Sequence, residues 1–155
     1  MHQISPDGIA FLKEKEGFRN DAYYDSANVL TIGYGHSAYA PSIEQYPVYE
    51  GQHITEEEGE EILRADLKPT EAAVNSAVTR DITQKQYDAL VSFTFNVGVG
   101  AFKASKVLSY TNEGNYQAAG DAFLDYSYAG GEFIPGLRKR REEERAMYLF
   151  SLPQA

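Results

Sequence analysis

The chain's 155 residues, 43% of them hydrophobic, suffice for one compact domain or for two small lobes sharing a core. They hold no apolar run near the ~20 residues of a membrane span, and no cysteine, which excludes disulfides and thiolate metal sites. With 23 acidic against 14 basic residues the formal charge is −9, which repels phosphate backbones and predicts no nucleic-acid partner.

The first segment predicts a helix. Ser5 is an N-cap, Pro6 takes the first helical position, Asp7 suits the positive end and Gly17 is a stop. Ile9, Leu12 and Glu16 follow at i, i+3 and i+7, so they share one face. A carboxylate on an apolar face is unusual; it is either paired with an arginine or kept for chemistry. Met1 to Gly8 carries no basic segment followed by an apolar stretch, so a cleavable signal peptide is not expected.

Ala22-Tyr23-Tyr24 and Val29-Leu30-Thr31-Ile32 are strand-like, and Asp25 to Asn28 between them predicts a hairpin with a four-residue turn. Gly33-Tyr34-Gly35-His36 lacks the third glycine and the helix of a dinucleotide site, so tight backbone packing is the better account of its glycines. Residues 38–53 form a polar loop with Pro41 and Pro47. Thr55 and Glu58 form a capping box for the next helix, whose apolar side carries Leu63 and Leu67. Pro69 is expected to end or kink that helix, with Thr70 restarting it towards Val78. Thr83 and Gln86 form a second capping box. Tyr87, Leu90, Val91, Phe93 and Phe95 make the helix after it apolar on most of its surface, as a buried central helix would be. Gly98 and Gly100 break it, and further helices are expected over 102–111, 115–126 and 136–150. In the last of these, Arg138-Lys139-Arg140-Arg141 precedes Glu142-Glu143-Glu144, which reads as i,i+4 pairs such as Arg138–Glu142 and Arg140–Glu144 rather than as a nucleic-acid patch. The order of helix, hairpin and many helices predicts an α+β fold with a small sheet at one end.

Two carboxylates stand out. Glu16 closes the first helix, and Asp25 opens the hairpin turn nine residues later. Paired carboxylates in unlike settings are the apparatus of glycoside hydrolysis: one donates a proton to the leaving oxygen, the other stays ionised to assist water. An apolar face at the negative end of a helix favours the protonated acid at Glu16. Asp25, in an exposed turn, is expected to stay ionised. Thr31 on the opposite strand brings a hydroxyl that can hold a water. Tyr24 and Tyr34 are candidates to stack on sugar rings. His2, His36 and His53 have no ligand spacing, so no metal or other cofactor is expected.

Glu16-Gly17, Tyr24-Asp25 and Thr31-Ile32-Gly33-Tyr34-Gly35-His36 together resemble the active-site signature of the phage-type lysozymes, the muramidases or endolysins of glycoside hydrolase family 24. The similarity runs on through residues 86–93, Phe95-Asn96-Val97-Gly98, Gly100-Ala101-Phe102, Tyr128-Ala129-Gly130-Gly131 and Pro135-Gly136-Leu137, covering nearly the whole chain. The resemblance implies a single lysozyme-like domain, with a small β lobe over about residues 1–54, a larger helical lobe over about 55–155, and a sugar-binding cleft between them. It implies hydrolysis of the β-1,4 bond between N-acetylmuramic acid and N-acetylglucosamine in bacterial peptidoglycan, with inversion, by a monomer. It carries over Glu16 as general acid, Asp25 and Thr31 as partners in delivering water, and Asn96 near the cleft floor. It sets His36 opposite Asp66 as a structural ion pair. It implies synthesis in a host cytoplasm and release to the wall by a separate pore-forming protein. The chain departs from the pattern at Tyr126, where Trp is common, at Lys106, where a small hydroxyl residue is common, and in its acidic charge. An inactive peptidoglycan-binding module and a lytic transglycosylase are the alternatives on the same fold.

Overall fold

The computed structural model describes residues 2–150. The chain divides into two compact units, Ile9–Pro69 and Met1–Gly8 with Thr70–Ala155. The division falls inside two helices rather than at a loop near residue 54. Helix α1, Pro6–Glu16, and helix α2, Glu56–Ala77, each contribute residues to both units. Among the described residues no helix is long and apolar enough to cross a membrane.

In the first unit, α1 ends at Gly17, whose φ of +71° is left-handed and whose N–H returns to the Lys13 carbonyl. Strand β1, Arg19–Tyr24, pairs antiparallel with β2, Leu30–Gly33, with Tyr24 opposite Leu30 and Tyr23 opposite Thr31. A register shift separates this pairing from the one between Arg19 and Gly33, so the strand starts earlier than the sequence reading placed it. A third strand, β3 at His36–Ser37, was not expected; it pairs with Thr31 and Ile32 across a turn in which Gly33 and Gly35 take φ of +65° and +75°. These glycines therefore serve a tight reversal.

The first half of α2 belongs with the sheet because Ile62 packs with Ile32 and Ile54, and Phe18, Ala22, Tyr46 and Val48 close around them. Burying each isoleucine contributes about 1.5–3 kcal/mol. The capping box at its start is present: Glu58 N–H donates to Thr55 Oγ1 at 3.1 Å and Thr55 N–H to Glu58 Oε1 at 3.0 Å. A Cβ at Gly59 would lie 2.5 Å from Cε1 of Phe18. That ring is pinned by the isoleucine cluster and by Tyr34, 5.0 Å away between centroids. Gly59→Ala is expected to destabilise the protein by about 1–3 kcal/mol through overpacking, despite the better helix propensity of alanine. Urea denaturation checks this; an unchanged or raised midpoint would show that Phe18 has room.

Helix α2 runs on through Pro69, so of the two outcomes expected there, an end or a kink, the end is excluded. Proline removes one N–H bond, but Leu67, Thr70 and Val74 are all buried around it and hold the chain helical.

The second unit centres on α3, Gln84–Val97, packed against α7, Pro135–Leu149. Thr83 and Gln86 form the capping box of α3. Tyr87 through Thr94 are all buried, while Phe95 is half-buried. Ser5 caps α1 at Gly8 N–H and is itself held by Asp88 of α3, which anchors the first residues to this unit. The helix expected over 102–111 is two, α4 at Val99–Lys103 and α5 at Lys106–Glu113, because Ser105 caps α5 through the Leu108 N–H. Helix α6, Tyr116–Ala122, ends in a single 3₁₀ turn over Phe123–Asp125. A short hairpin that the sequence reading missed follows, β4 at Tyr128–Ala129 and β5 at Glu132–Phe133, turning on Gly130-Gly131. Phe93, Phe123 and Tyr148 meet edge to face at the centre. The Tyr148 hydroxyl lies 2.6 Å from Thr111 Oγ1, and burial pushes its pKa up to about 12.

Candidate active site

Glu16, Asp25 and Thr31 all lie in the unit that holds the small sheet. Glu16 is the last residue of α1 and is half-buried, while Ile9 and Leu12 on the same face are fully covered. Its carboxylate stands over the glycine turn: a Cβ at Gly35 would lie 3.5 Å from Glu16 Oε1. The second glycine of Gly-Tyr-Gly thus serves the left-handed turn, and a side chain there would be in ordinary van der Waals contact with the acid.

Asp25 is half-buried, not exposed as expected. It is fixed by its own turn. Its Oδ1 accepts the N–H groups of Ala27 and Val29, each at 2.9 Å, and its backbone N–H donates to the Val29 carbonyl. Asn28 completes the reversal at φ 63°, a conformation asparagine tolerates. Oδ2 makes no hydrogen bond among the described residues. Tyr23, two residues before Asp25, is the partner of Thr31, so strand alternation sets Asp25 and Thr31 on one face of the hairpin. They are diagonal neighbours, a relation that spans about 7–8 Å. Thr31 is buried, and its hydroxyl donates to the Val29 carbonyl at 2.9 Å. With its one proton committed there, Thr31 Oγ1 can offer further partners only lone pairs.

Tyr34 does not suit the sugar-stacking role. It is 7% exposed, tilts against Phe18, and donates its hydroxyl to Glu56 Oε2 at 2.7 Å. Burial, with that carboxylate beside it, pushes its pKa up to about 12. Packing is the role the structure supports. Tyr24 is exposed, with its hydroxyl bonded to Glu50.

Below the turn, His36 is fully buried and lies between two acceptors: Nδ1 is 2.8 Å from Asp66 Oδ2, and Nε2 is 2.7 Å from the Tyr46 carbonyl. Burial is the largest influence on the ring and lowers its pKa. The hydrogen bonds to Asp66 and Tyr46, with the charge of Asp66, outweigh it and hold His36 above 6.5. Asp66 Oδ1 accepts from the Ser42 backbone and hydroxyl, tying the polar loop to α2. His53, by contrast, is a surface residue paired with Asp21.

Asn96 lies in the other unit, exposed at the end of α3. It borders an open hollow of about 370 Å³ lined also by Val97, Ala101, Tyr126, Tyr128 and Leu137. Tyr126, at the position where Trp is common, packs edge-on against Phe93 at 4.9 Å. A larger hollow of about 520 Å³, between residues 41–46 and the side of α2, contains none of the expected site residues; size alone does not find the chemistry.

The family model for phage lysozyme matches residues 13–144, most of the chain. The chain belongs to the phage lysozyme family. It is 45% identical over 150 residues to an endolysin of Salmonella phage P22, covering 96% of this chain and 99% of that one. It is 43% identical over 148 residues to an endolysin of Bacillus phage B103, covering 94% of this chain but 54% of that one, so it spans about half the length of that relative. The solved muramidase domain of SpmX from Asticaccaulis excentricus shares the fold with TM-score 0.85 and 36% identity over 96% of this chain and 99% of that one. The mostly helical α+β architecture is that of the family.

The i,i+4 pairs expected in α7 are present, Arg138–Glu142 at 3.5 Å and Arg140–Glu144 at 3.2 Å, but the second is buried together with Arg141 against α3, which the spacing of charges did not predict. The signal was there: Arg141, Glu144 and Tyr148 recur at i, i+3 and i+7, the spacing that placed Glu16 on an inner face.

Proposed function

We propose that this protein is a muramidase that hydrolyses the β-1,4 bond between N-acetylmuramic acid and N-acetylglucosamine in peptidoglycan. The observation that carries the reading is the hairpin, which fixes one oxygen of Asp25 with two backbone N–H groups and sets Thr31 on the same face, in the unit where Glu16 overhangs the Gly33–Gly35 turn. Glu16 donates a proton to the leaving oxygen as the glycosidic bond breaks. A water between Asp25 Oδ2 and Thr31 Oγ1 donates one hydrogen to each, since both present lone pairs. Its own lone pair is then left to attack the anomeric carbon, and Asp25 takes up the proton released. A transglycosylase uses no water, and this arrangement would have nothing to hold. The substrate lies outside the membrane, so the reading includes delivery by a separate pore-forming protein.

Water delivered from the face opposite the leaving group inverts the anomeric centre. Freshly released product is therefore expected as the α-anomer, read by NMR before mutarotation. A β-anomer would mean retention, with Asp25 as nucleophile and no role for Thr31 in holding water.

A further inference from the structure

Helix α7 turns two arginines and a glutamate inward, and the two arginines are not equivalent. Arg140 donates to Glu144 Oε2 at 3.2 Å and to the carbonyl and hydroxyl of Ser92 at 3.1 and 3.2 Å, while Ser92 Oγ donates to the same Glu144 oxygen at 2.6 Å. Glu144 Oε2 thus has its cation and its hydroxyl from Arg140 and Ser92, while the other oxygen, Oε1, lies 3.3 Å from Arg141 Nε as an ion pair. Arg141 is nevertheless fully buried, and its Nε and Nη1 make no hydrogen bond. Its guanidinium lies over the Phe93 ring at 5.2 Å, and burial pulls its pKa down. Its one hydrogen bond is from Nη2 to Asn96 Oδ1. A second buried cation is costly, and besides its ion pair with Glu144 the one hydrogen bond it makes is to a residue at the rim of the hollow.

That contact fixes a direction. A guanidinium has donors and no acceptor, so the asparagine oxygen must face it and the asparagine NH₂ must face away. Asn96 Nδ2 makes no hydrogen bond among the described residues, and the side chain borders the hollow beside Tyr126 and Leu137. Tyr126 in turn rests on Phe93, the ring beneath Arg141. One buried guanidinium therefore sets the amide on one wall and supports the aromatic ring on another.

We propose that Arg141 is a positioning residue that holds Asn96 as a hydrogen-bond donor to the acetamido carbonyl of a sugar in the glycan strand. The inference rests on the muramidase reading and adds to it the polarity of one sugar contact. The amide is polarised by the cation behind it, which strengthens it as a donor and makes it a poor partner for an N–H group.

The test uses the full chain and two soluble oligosaccharides, tetra-N-acetylchitotetraose and its deacetylated counterpart. Neither carries a lactyl or peptide carboxylate, and the two are compared at a pH above the range in which the amines exposed by deacetylation are protonated, so the acetyl group is the variable. The Asn96 side-chain NH₂ resonance, assigned by its disappearance in Asn96→Asp, is expected to shift with the acetylated sugar and not with the deacetylated one. Asn96→Asp keeps a partner for Arg141 and removes the donor. It should raise KM on soluble peptidoglycan fragments roughly tenfold, the scale of one lost hydrogen bond, with kcat within about twofold. Arg141→Gln, which leaves the amide free to turn over, should raise KM similarly. Arg141→Lys should restore most of the loss, and Arg141→Gln should add little to Asn96→Asp. An Asn96 resonance that ignores both sugars or answers both alike, a normal KM in folded Asn96→Asp, or an Arg141→Gln loss that adds fully to it would each overturn the proposal. If Arg141→Gln does not fold, the Asn96→Asp kinetics and the resonance decide. Failure of the muramidase reading is separate: the parent protein would then release no reducing sugar from peptidoglycan.

Discussion

Glu16→Gln is expected to leave a folded protein whose rate of wall lysis falls by at least about 10²–10⁴-fold, the usual contribution of a general acid. The amide matches the carboxyl in shape but has no proton of suitable acidity to give. Glu16 ends α1 and is half-buried, so an isosteric change asks little of the helix or of the Ile9 and Leu12 face behind it. The loss should fall on kcat, because the proton transfer belongs to bond cleavage, while binding of an oligosaccharide stays within a few-fold of the parent. Turbidity of permeabilised bacteria gives the rate, and circular dichroism with thermal melting confirms the fold. A folded variant that lyses cells at near the parental rate would remove Glu16 from the mechanism.

What the sequence made legible is what is settled over short stretches of chain. Ser5 with Pro6, Thr55 with Glu58 and Thr83 with Gln86 each satisfy helix-end N–H groups within three or four residues, and each cap is in place. The Asp25–Asn28 reversal is equally local, and the face shared by Asp25 and Thr31 follows from strand alternation once the hairpin is drawn. The misses depend on distant partners. Pro69 stays helical because of the burial of Leu67, Thr70 and Val74, which no propensity records. Two-residue strands such as His36–Ser37 carry too few side chains for a period to show. Tyr34 was given a role at a surface it barely reaches, because a tyrosine beside a catalytic motif looks the same in sequence whether its ring faces sugar or Phe18. The Gly130-Gly131 turn and the inward face of α7 were readable by rules already applied elsewhere in the chain. The position of His36 opposite Asp66 came from family resemblance, not from spacing, and the two side chains meet at 2.8 Å.

That contact carries the largest stability effect expected. Both ring nitrogens of His36 face acceptors, the carboxylate of Asp66 and the carbonyl of Tyr46, so the geometry is complete only when both carry protons. Asp66→Ala removes the carboxylate from a ring that is 1% exposed and also strands the backbone N–H and hydroxyl of Ser42. Breaking a buried pair in this way costs about 3–5 kcal/mol, a fall in Tm on the order of 10 °C for a chain of this size. The pH dependence has a definite sign. His36 has a folded pKa raised above its unfolded value of 6.5, so its contribution is whole below ~6.5 and is lost as pH climbs through the folded value. The gap between the parent and Asp66→Ala should therefore be widest in mildly acidic solution and narrow towards pH ~8. It should not close, since the bonds from Ser42 to Asp66 do not depend on the charge of His36. Asp66→Asn, which can still accept from Ser42 and can donate to a neutral His36, should lose less and show a flatter profile. Denaturant unfolding of the three proteins across this range measures all of it. A gap that is constant or widens with rising pH would mean that His36 is neutral where it sits and that the loop is held to α2 by Ser42 alone.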